Sequence, residues 1–287
     1  TWTNTGTLGG DFVAQGNPVV AKVSGIDAVT LDGNGSLFVG PNSVPGMEGA
    51  SDVSVEVWAY NPSIASEETT VSWSHRGGPD GTNMAFNYGN NGTWGAVGHW
   101  GGPDIGWTRD ASTGAPAAGQ WHHLVYTYDG AVQRVYADGV EANSETVALN
   151  LHPGDPIRIG AQIESDLATN VLFGSLSLAR VRIHDGVLSA ADVANNYTAV
   201  FGGIGDMSGV NVKVTSDSAI DLDTTAAVPF GPLTMEGGIL KTTGRSSLVS
   251  FQGTTIPVGA SAVGFDPGVP MDLGVIDGSH STVTITK

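Results

Sequence analysis

Cysteine is absent from this 287-residue chain, which excludes disulfides and thiolate metal sites alike. Lysine and arginine are scarce too: eleven, against twenty-eight aspartates and glutamates, for a formal net charge of −17. The acidic residues are spread along the chain rather than gathered into a tail. Phosphate binding needs clustered basic side chains, so nucleic acid is excluded as a partner, whereas neutral glycans and calcium are compatible. No run of about 18 apolar residues occurs, so no membrane insertion is expected. There is no initiator methionine and no signal peptide; the chain opens mid-phrase at TWTNTGTLGGDF and is expected to be a processed or excised piece of a longer polypeptide. Charged residues make up only 14%, so the surface must draw its polarity from Asn, Ser, Thr and Gly.

Aromatic residues are few in the C-terminal part. All seven Trp and all six Tyr precede residue 202, and only Phe230, Phe251 and Phe265 follow it. The glycine-rich FGGIGDMSG (201–209) reads as a linker. Two domains are therefore expected, 1–204 and 205–287, with the boundary near Gly205.

What the first part contains is alternation. In DVSVEVWAYNP, Val53, Val55, Val57 and Ala59 form one strand face, and Glu56, Trp58 and Tyr60 the other. In QWHHLVYTYDG, His122, Leu124, Tyr126 and Tyr128 alternate with Trp121, His123 and Val125. The pairs Asp129-Gly130 and Asp138-Gly139 supply the positive φ that tight hairpins demand. One helix is expected, from LSAADVANNY, with Ser189 and Asp192 as an Asp variant of the capping box, covering one end of the sandwich. The fold class is all-β: a two-sheet antiparallel jelly-roll sandwich. The tail, in short β-rich phrases broken by Gly, Asp and Thr, adds a small β-rich domain, either a second sandwich or a β-solenoid.

The stretch Ser72–Trp107 holds four of the seven Trp and two of the seven His among glycines and asparagines. His75 and His99 each end a strand-like run, beside Arg76 and Trp100. Within GTNMAFNYG, alternation sends Met84, Phe86 and Tyr88 to the core and leaves Asn83 and Asn87 on a polar face. There carboxamides can both donate to and accept from sugar hydroxyls. Asp104 adds an acceptor and Trp107 a stacking platform. These eight residues are the candidate ligand site for a polysaccharide or glycoconjugate. The alternative is that Trp73, Trp94 and Trp100 fill the sandwich and the histidines cap its rim. For His122-His123, adjacent strand residues point to opposite faces and cannot share a metal; one is expected in the core and one at the surface.

Paired carboxylates spaced E-x-D-x-(x)-E, which a jelly-roll glucanase needs, do not occur, nor do G-x-S-x-G or H-E-x-x-H. A non-catalytic module is expected, and a polysaccharide-active enzyme is the weakest alternative.

The order LDGNGSLFVG, SVEVWAYNP, GQWHHLVYTYDG, VYADGV, PIRIGAQ, FGSLSLARVRIHDGVLSAADV resembles the laminin-G-like (concanavalin-A-like jelly-roll) domains of bacterial extracellular proteins, over about residues 8–200. The resemblance implies glycan or protein binding, an extracellular or cell-surface setting and often one calcium ion. An acidic residue usually precedes the V-R-I core of the closing strand in this family; here that position is Ala179, followed by Arg180. Asp32 and Asn34 remain as candidate calcium ligands. The tail, through FGPLTMEGGILKTTG, is similar to autotransporter-associated β-strand repeats of planctomycete-type surface proteins. The rival to a glycan-binding adhesion module is a structural subunit of an extracellular matrix, sheath or filament, associating with its own kind through edge strands.

Overall fold

The computed structural model describes residues 1–108, 114–204, 211–222, 227–244, 248–260 and 263–277. The chain divides into two compact units, Thr1–Asn195 and Asn196–Lys287.

In the first unit the strands run β1 (Val13–Gln15), β2 (Val19–Val23), β3 (Ile26–Thr30), β4 (Leu37–Asn42), β5 (Val53–Tyr60), β6 (Thr69–Trp73), β7 (Met84–Asn87) and β8 (Val97–Gly98). They continue as β9 (Trp121–Tyr128), β10 (Val132–Ala137), β11 (Val140–Thr146), β12 (Pro156–Ile159), β13 (Gln162–Ile163), β14 (Asn170–Val171) and β15 (Ser177–Asp185). A six-stranded sheet has the order β1-β4-β12-β6-β7-β8 and a seven-stranded sheet the order β11-β10-β9-β5-β15-β3-β2. Both orders mix hairpin neighbours, such as β6-β7-β8 and β11-β10-β9, with strands distant in sequence, such as β4-β12-β6 and β9-β5-β15, and the pairings are antiparallel.

The core lies between these sheets. Val53, Val55, Val57 and Ala59 from β5 meet Val71 and Trp73 from β6, Met84 and Phe86 from β7, and Ile157 and Ile159 from β12, all buried. Each buried Val, Ile, Met or Phe side chain among them contributes about 1.5–3 kcal/mol by leaving water. The alternation read in 53–59 and 84–88 is thus the inward face of two central strands. The outward face of β5 is buried as well: Glu56 and Trp58 are sealed, and next to them Val125 and Tyr136 pack under Val193 of the helix α1 (Ala190–Ile204). So the first turn of α1, through Val193, packs on the outer face of the seven-stranded sheet rather than at one end of the sandwich. Its cap is as expected: Ser189 Oγ accepts the Asp192 N–H at 3.1 Å, and Asp192 Oδ2 accepts the Ser189 N–H at 3.0 Å. Phe201–Ile204, expected to be linker, continues the helix; Gly205 lies outside the described residues. Among the described residues no helix is long and apolar enough to cross a membrane.

The second unit is built on parallel pairing. Its strands are β16 (Val212–Val214), β17 (Ser218–Leu222), β18 (Ala227–Phe230), β19 (Leu233–Met235), β20 (Gly238–Gly244), β21 (Leu248–Phe251), β22 (Thr254–Thr255), β23 (Val263–Pro267), β24 (Met271–Asp272) and β25 (Ile276–Asp277). They form three sheets, β16-β19-β22-β25, β17-β20-β23 and β18-β21-β24. Every third strand therefore stacks on the one before: Val212 lies opposite Leu233, and Leu233 opposite Thr254. This is the coil of a β-solenoid, which decides between the two expected forms of the tail. Stacked coils bury one internal column, including Val214, Val228, Phe230, Leu233, Met235, Val249 and Phe251. Phe230 and Phe251 stack at 5.4 Å between ring centroids. Truncating a buried Phe leaves a cavity, so Phe251→Ala is expected to cost about 3–5 kcal/mol. Amide hydrogen exchange in β18, β21 and β24 should accelerate, while that of β5 and β9 stays as in the parent.

Candidate functional site

The loops that follow β6, β8, β11 and β13 supply His75 and Arg76, Trp100, His152 and Asp155, and Glu164. Two backbone features shape this rim. Ser74, at the end of β6, has φ +60°, and Trp100 has φ +61°. Left-handed backbone costs a non-glycine residue about 1–2 kcal/mol, so tertiary contacts hold both. Ser74 Oγ donates to the His152 carbonyl oxygen at 2.6 Å, and Asn83 Nδ2 donates to the Ser74 carbonyl at 2.9 Å. Trp100 opens a Gly101-Gly102-Pro103 turn with a cis Gly102-Pro103 bond. Gly101 has φ +68°, a left-handed backbone that favours glycine, and a Cβ there would displace the Asp80 carboxylate.

The His75 ring and its backbone N–H both donate to Asp155 Oδ2, at 2.7 and 2.8 Å. That ring stacks on His152, with centroids 3.9 Å apart and planes 10° apart. His152 Nε2 is buried and has no hydrogen-bond partner among the described residues. Burial pushes the His152 imidazole below its ordinary value, His75 adds to the shift, and Asp155 opposes it. The Arg76 guanidinium lies 5.2 Å from the centre of the Trp100 ring and reaches Glu164 at 4.0 Å. The cation–π contact is worth about 0.5–1 kcal/mol at an exposed site. Trp100 remains 36% exposed, and the Arg76 side chain is partly exposed beside it.

The eight residues expected to contact ligand divide in two. His75, Arg76, Trp100 and Asp104 lie at the rim, with Asp104 Oδ1 accepting the His99 N–H at 2.6 Å. Asn83, Asn87, His99 and Trp107 are sealed inside, which corrects their placement in a ligand site. The physical reason is local: their polar atoms are spent on loop backbone. Asn83 holds the Ser74 carbonyl, Asn87 Nδ2 the Trp94 carbonyl and Trp107 Nε1 the Gly95 carbonyl. The His99 ring nitrogens lie 2.7 Å from the Asn83 carbonyl oxygen and 2.9 Å from Gln133 Oε1, and a neutral ring donates to one of them. Of the tryptophans expected to fill the sandwich, Trp73 does so, while Trp94 and Trp100 are exposed.

Both His122 and His123 are buried, against the expectation that one would reach the surface. His122 pairs with Asp138 at 2.6 Å, and His123 with Glu56 at 3.0 Å, on opposite faces of β9. Asp155, His152 and Glu164 were missed in the sequence. Their signal is weak: His152 and Asp155 sit in a four-residue turn, HPGD, about 80 positions from His75.

Asp32 and Asn34 do not make a calcium site. Asp32 Oδ1 accepts the backbone N–H groups of Asn34 and Ser36 at 2.8 and 3.1 Å. These bonds, the Asn34 one foremost, hold its carboxyl below the ordinary 3.8. Calcium takes six to eight oxygens, and among the described residues no group of three or more acidic or histidine side chains is arranged to hold a metal ion. With Ala179 at the remaining family position, the residues present do not fit the ion.

The family model described as the concanavalin A-like lectin/glucanases superfamily matches residues 31–194. No curated protein matches the sequence. Among solved structures, the chain is similar to domain 4 of AbnA, a GH43 extracellular arabinanase from Geobacillus stearothermophilus, in complex with arabinotriose: 20% identity, TM-score 0.42, covering 65% of this chain and 86% of that one. It is similar to the botulinum neurotoxin serotype G binding domain at 11% identity and TM-score 0.48, over 70% of this chain and 49% of that one, about half its length. A Trypanosoma rangeli sialidase in complex with the inhibitor DANA is similar at 13% identity and TM-score 0.41, over 66% and 29%.

The histidines give this unit a definite pH response. Burial depresses His99 and His152 below their ordinary 6.5, whereas Asp138 raises His122 despite its burial. For the depressed pair, the unfolded chain takes up protons first. Their share of stability is full above about pH 6.5 and is lost as pH falls through the depressed values. The share from His122 is full below about pH 6.5 and is lost as pH rises through its raised value. Imidazole NMR titration should place the midpoints of His99 and His152 below 6.5 and that of His122 above it.

Proposed function

The chain belongs to the concanavalin A-like lectin/glucanases superfamily, and from that membership we propose that its N-terminal unit is a non-catalytic glycan-binding module. The observation that carries this reading is the exposed Trp100 indole, held in left-handed backbone with the Arg76 guanidinium against it. An indole face packs on the C–H face of a sugar ring, and a guanidinium edge beside it donates to hydroxyl or carboxylate oxygens. His75, fixed by Asp155, and Asp104 flank this platform with further polar groups. The ligand class is a polysaccharide or glycoconjugate, met at the cell surface or outside the cell. The resemblance of the tail to autotransporter-associated repeats favours the same setting.

The non-catalytic part of the reading rests on where the carboxylates are. Glycoside hydrolysis needs two of them flanking one bond. Glu56 is buried between His123 and His184, and Glu68 is buried with its oxygens on the Ser175 and Ala65 N–H groups. Glu67, raised by burial, accepts from Gln162 Nε2 at 2.7 Å, and Asp104 is bonded to the His99 backbone. On a polysaccharide array the parent chain should bind at least one glycan, with Trp100→Ala and Arg76→Ala each weakening it about tenfold or more, as for lost stacking and charge-assisted contacts. Absence of binding to every polysaccharide would overturn the proposal, and release of reducing sugar would overturn its non-catalytic part.

A structural role in a sheath or filament is favoured by one separate observation. Edge strand β2 is exposed over Val19–Lys22 and carries no proline, with Val20 78% exposed. A long bare edge of this kind can pair with another copy. Under that reading the chain self-associates in light scattering at about 100 µM, and Val20→Lys returns it to monomer.

A further inference from the structure

Beyond Leu178, strand β15 has a partner on one side only. It pairs with β3 at Ser177 and Leu178, and with β5 along its whole length. Among the described residues no backbone hydrogen bond joins Ala179–His184 to anything but β5. A groove of about 1060 Å³ runs along this open edge. Its apolar floor includes Met47, Ile157 and Ile159, and its far wall is the N-terminal segment Trp2–Leu8. That wall is anchored at one end, where Trp2 and Phe12 exchange backbone hydrogen bonds at 2.8 and 2.9 Å, and Thr5–Leu8 are exposed.

The two faces of β15 differ along this edge. Val181 and Ile183, opposite Val57 and Val55 of β5, pack against the core. Arg180 and Arg182, opposite Trp58 and Glu56, lie on the outer face, with both guanidiniums over the Trp58 ring at 5.5 and 5.1 Å. Arg182 and His184 are tied to Glu56, but Arg180 is exposed and makes no ion pair among the described residues.

We propose that this edge binds an extended polypeptide segment of another protein, added as a strand beside Ala179–His184, with apolar residues alternating with acidic ones. The register dictates the alternation. Residues level with Val181 and Ile183 turn inward onto the apolar floor, and those level with Arg180 and Arg182 turn outward to meet the guanidiniums. Main-chain hydrogen bonds supply affinity, and the alternating pockets supply selectivity. Six residues of strand span about 20 Å, so a segment of about that length fills the edge. This surface is separate from the Trp100 rim and does not depend on the glycan reading.

The probes are three end-blocked peptides of about eight residues offered to the full chain: alternating Val and Glu, the same composition in two blocks, and alternating Val and Lys. The alternating Val/Glu peptide is expected to bind saturably and to slow amide exchange at Ala179–His184 about tenfold or more. Arg180→Glu, with its thermal midpoint measured alongside so that lost folding is told apart from lost binding, is expected to weaken that binding about tenfold and to favour the Val/Lys peptide. No binding, equal binding of the block or lysine peptides, or protection at β2 or β11 instead would overturn the proposal. So would concentration-dependent protection of Ala179–His184 without peptide, which would assign the edge to a second copy of this chain.

Discussion

Strand β5 meets water on neither face, and the carboxylate in its middle constrains much of the rest. Glu56 is fully buried, and an unpaired charge there would be prohibitive. It is met by His123 at 3.0 Å, His184 at 2.8 Å and Arg182 at 3.6 Å, from the strands on either side. Losing one partner of such a group typically costs about 3–5 kcal/mol, so the residue types at 56, 123, 182 and 184 are bound to one another. Trp58 extends the arrangement: His123 stacks on it at 4.5 Å, and Arg180 and Arg182 lie over it. A carboxylate so enclosed has no access to substrate. The same packing sets the two arginines in a row along the open edge of β15.

Local chemistry was legible in the sequence, and the partners of outward-facing residues were not. Period-two alternation identified the inward faces of β5 and β7, and Asp138-Gly139 marked a turn in which both residues have positive φ, +51° and +82°. The Ser189–Asp192 cap was readable because both partners lie within one turn. Glu56 and Trp58, by contrast, form what alternation takes for a solvent face. Their burial depends on Arg180, Arg182 and His184, more than a hundred positions away. Asn83 and Asn87 failed for a related reason. A carboxamide that satisfies a loop carbonyl has the same residue type and strand parity as one that waits for a sugar. Only the fold distinguishes them, by placing the Ser74 and Trp94 carbonyls within reach.

The two units solve the burial problem differently, and the composition shift near residue 202 follows from that. A two-sheet sandwich must fill the wide gap between layers, which calls for Trp73, Trp107, Tyr126 and Phe86. A solenoid coil encloses a narrow column, where one Phe per coil, Phe230 then Phe251, and smaller aliphatic residues suffice. Its stability grows by stacking of neighbours. The near absence of aromatics in the tail is thus a consequence of architecture, and the same absence left its form ambiguous in the sequence.

Scarce cations make the remaining ones informative. In a chain of net charge −17, most described lysines and arginines sit beside a carboxylate: Lys22 with Asp27, Arg134 with Asp129, Lys213 with Glu236, Lys241 with Asp266. Pairs of this kind at the surface contribute about 0–1 kcal/mol and chiefly balance local charge. Arg76 and Arg180 share a second kind of contact, each lying over an indole, of Trp100 and of Trp58; Arg76 also reaches Glu164, whereas Arg180 makes no ion pair among the described residues. Stacking holds a guanidinium in place without using up its hydrogen-bond donors, which a bidentate carboxylate would. At the rim the indole is exposed, and arginine and ring together offer a flat, mixed surface suited to a sugar. On β15 the indole is buried, and what the arginine adds is charge beside an unpaired strand edge, which suits an acidic polypeptide. Under the two proposals the same pairing of side chains would serve two recognition chemistries, separated by whether the ring or the backbone is left open to the ligand.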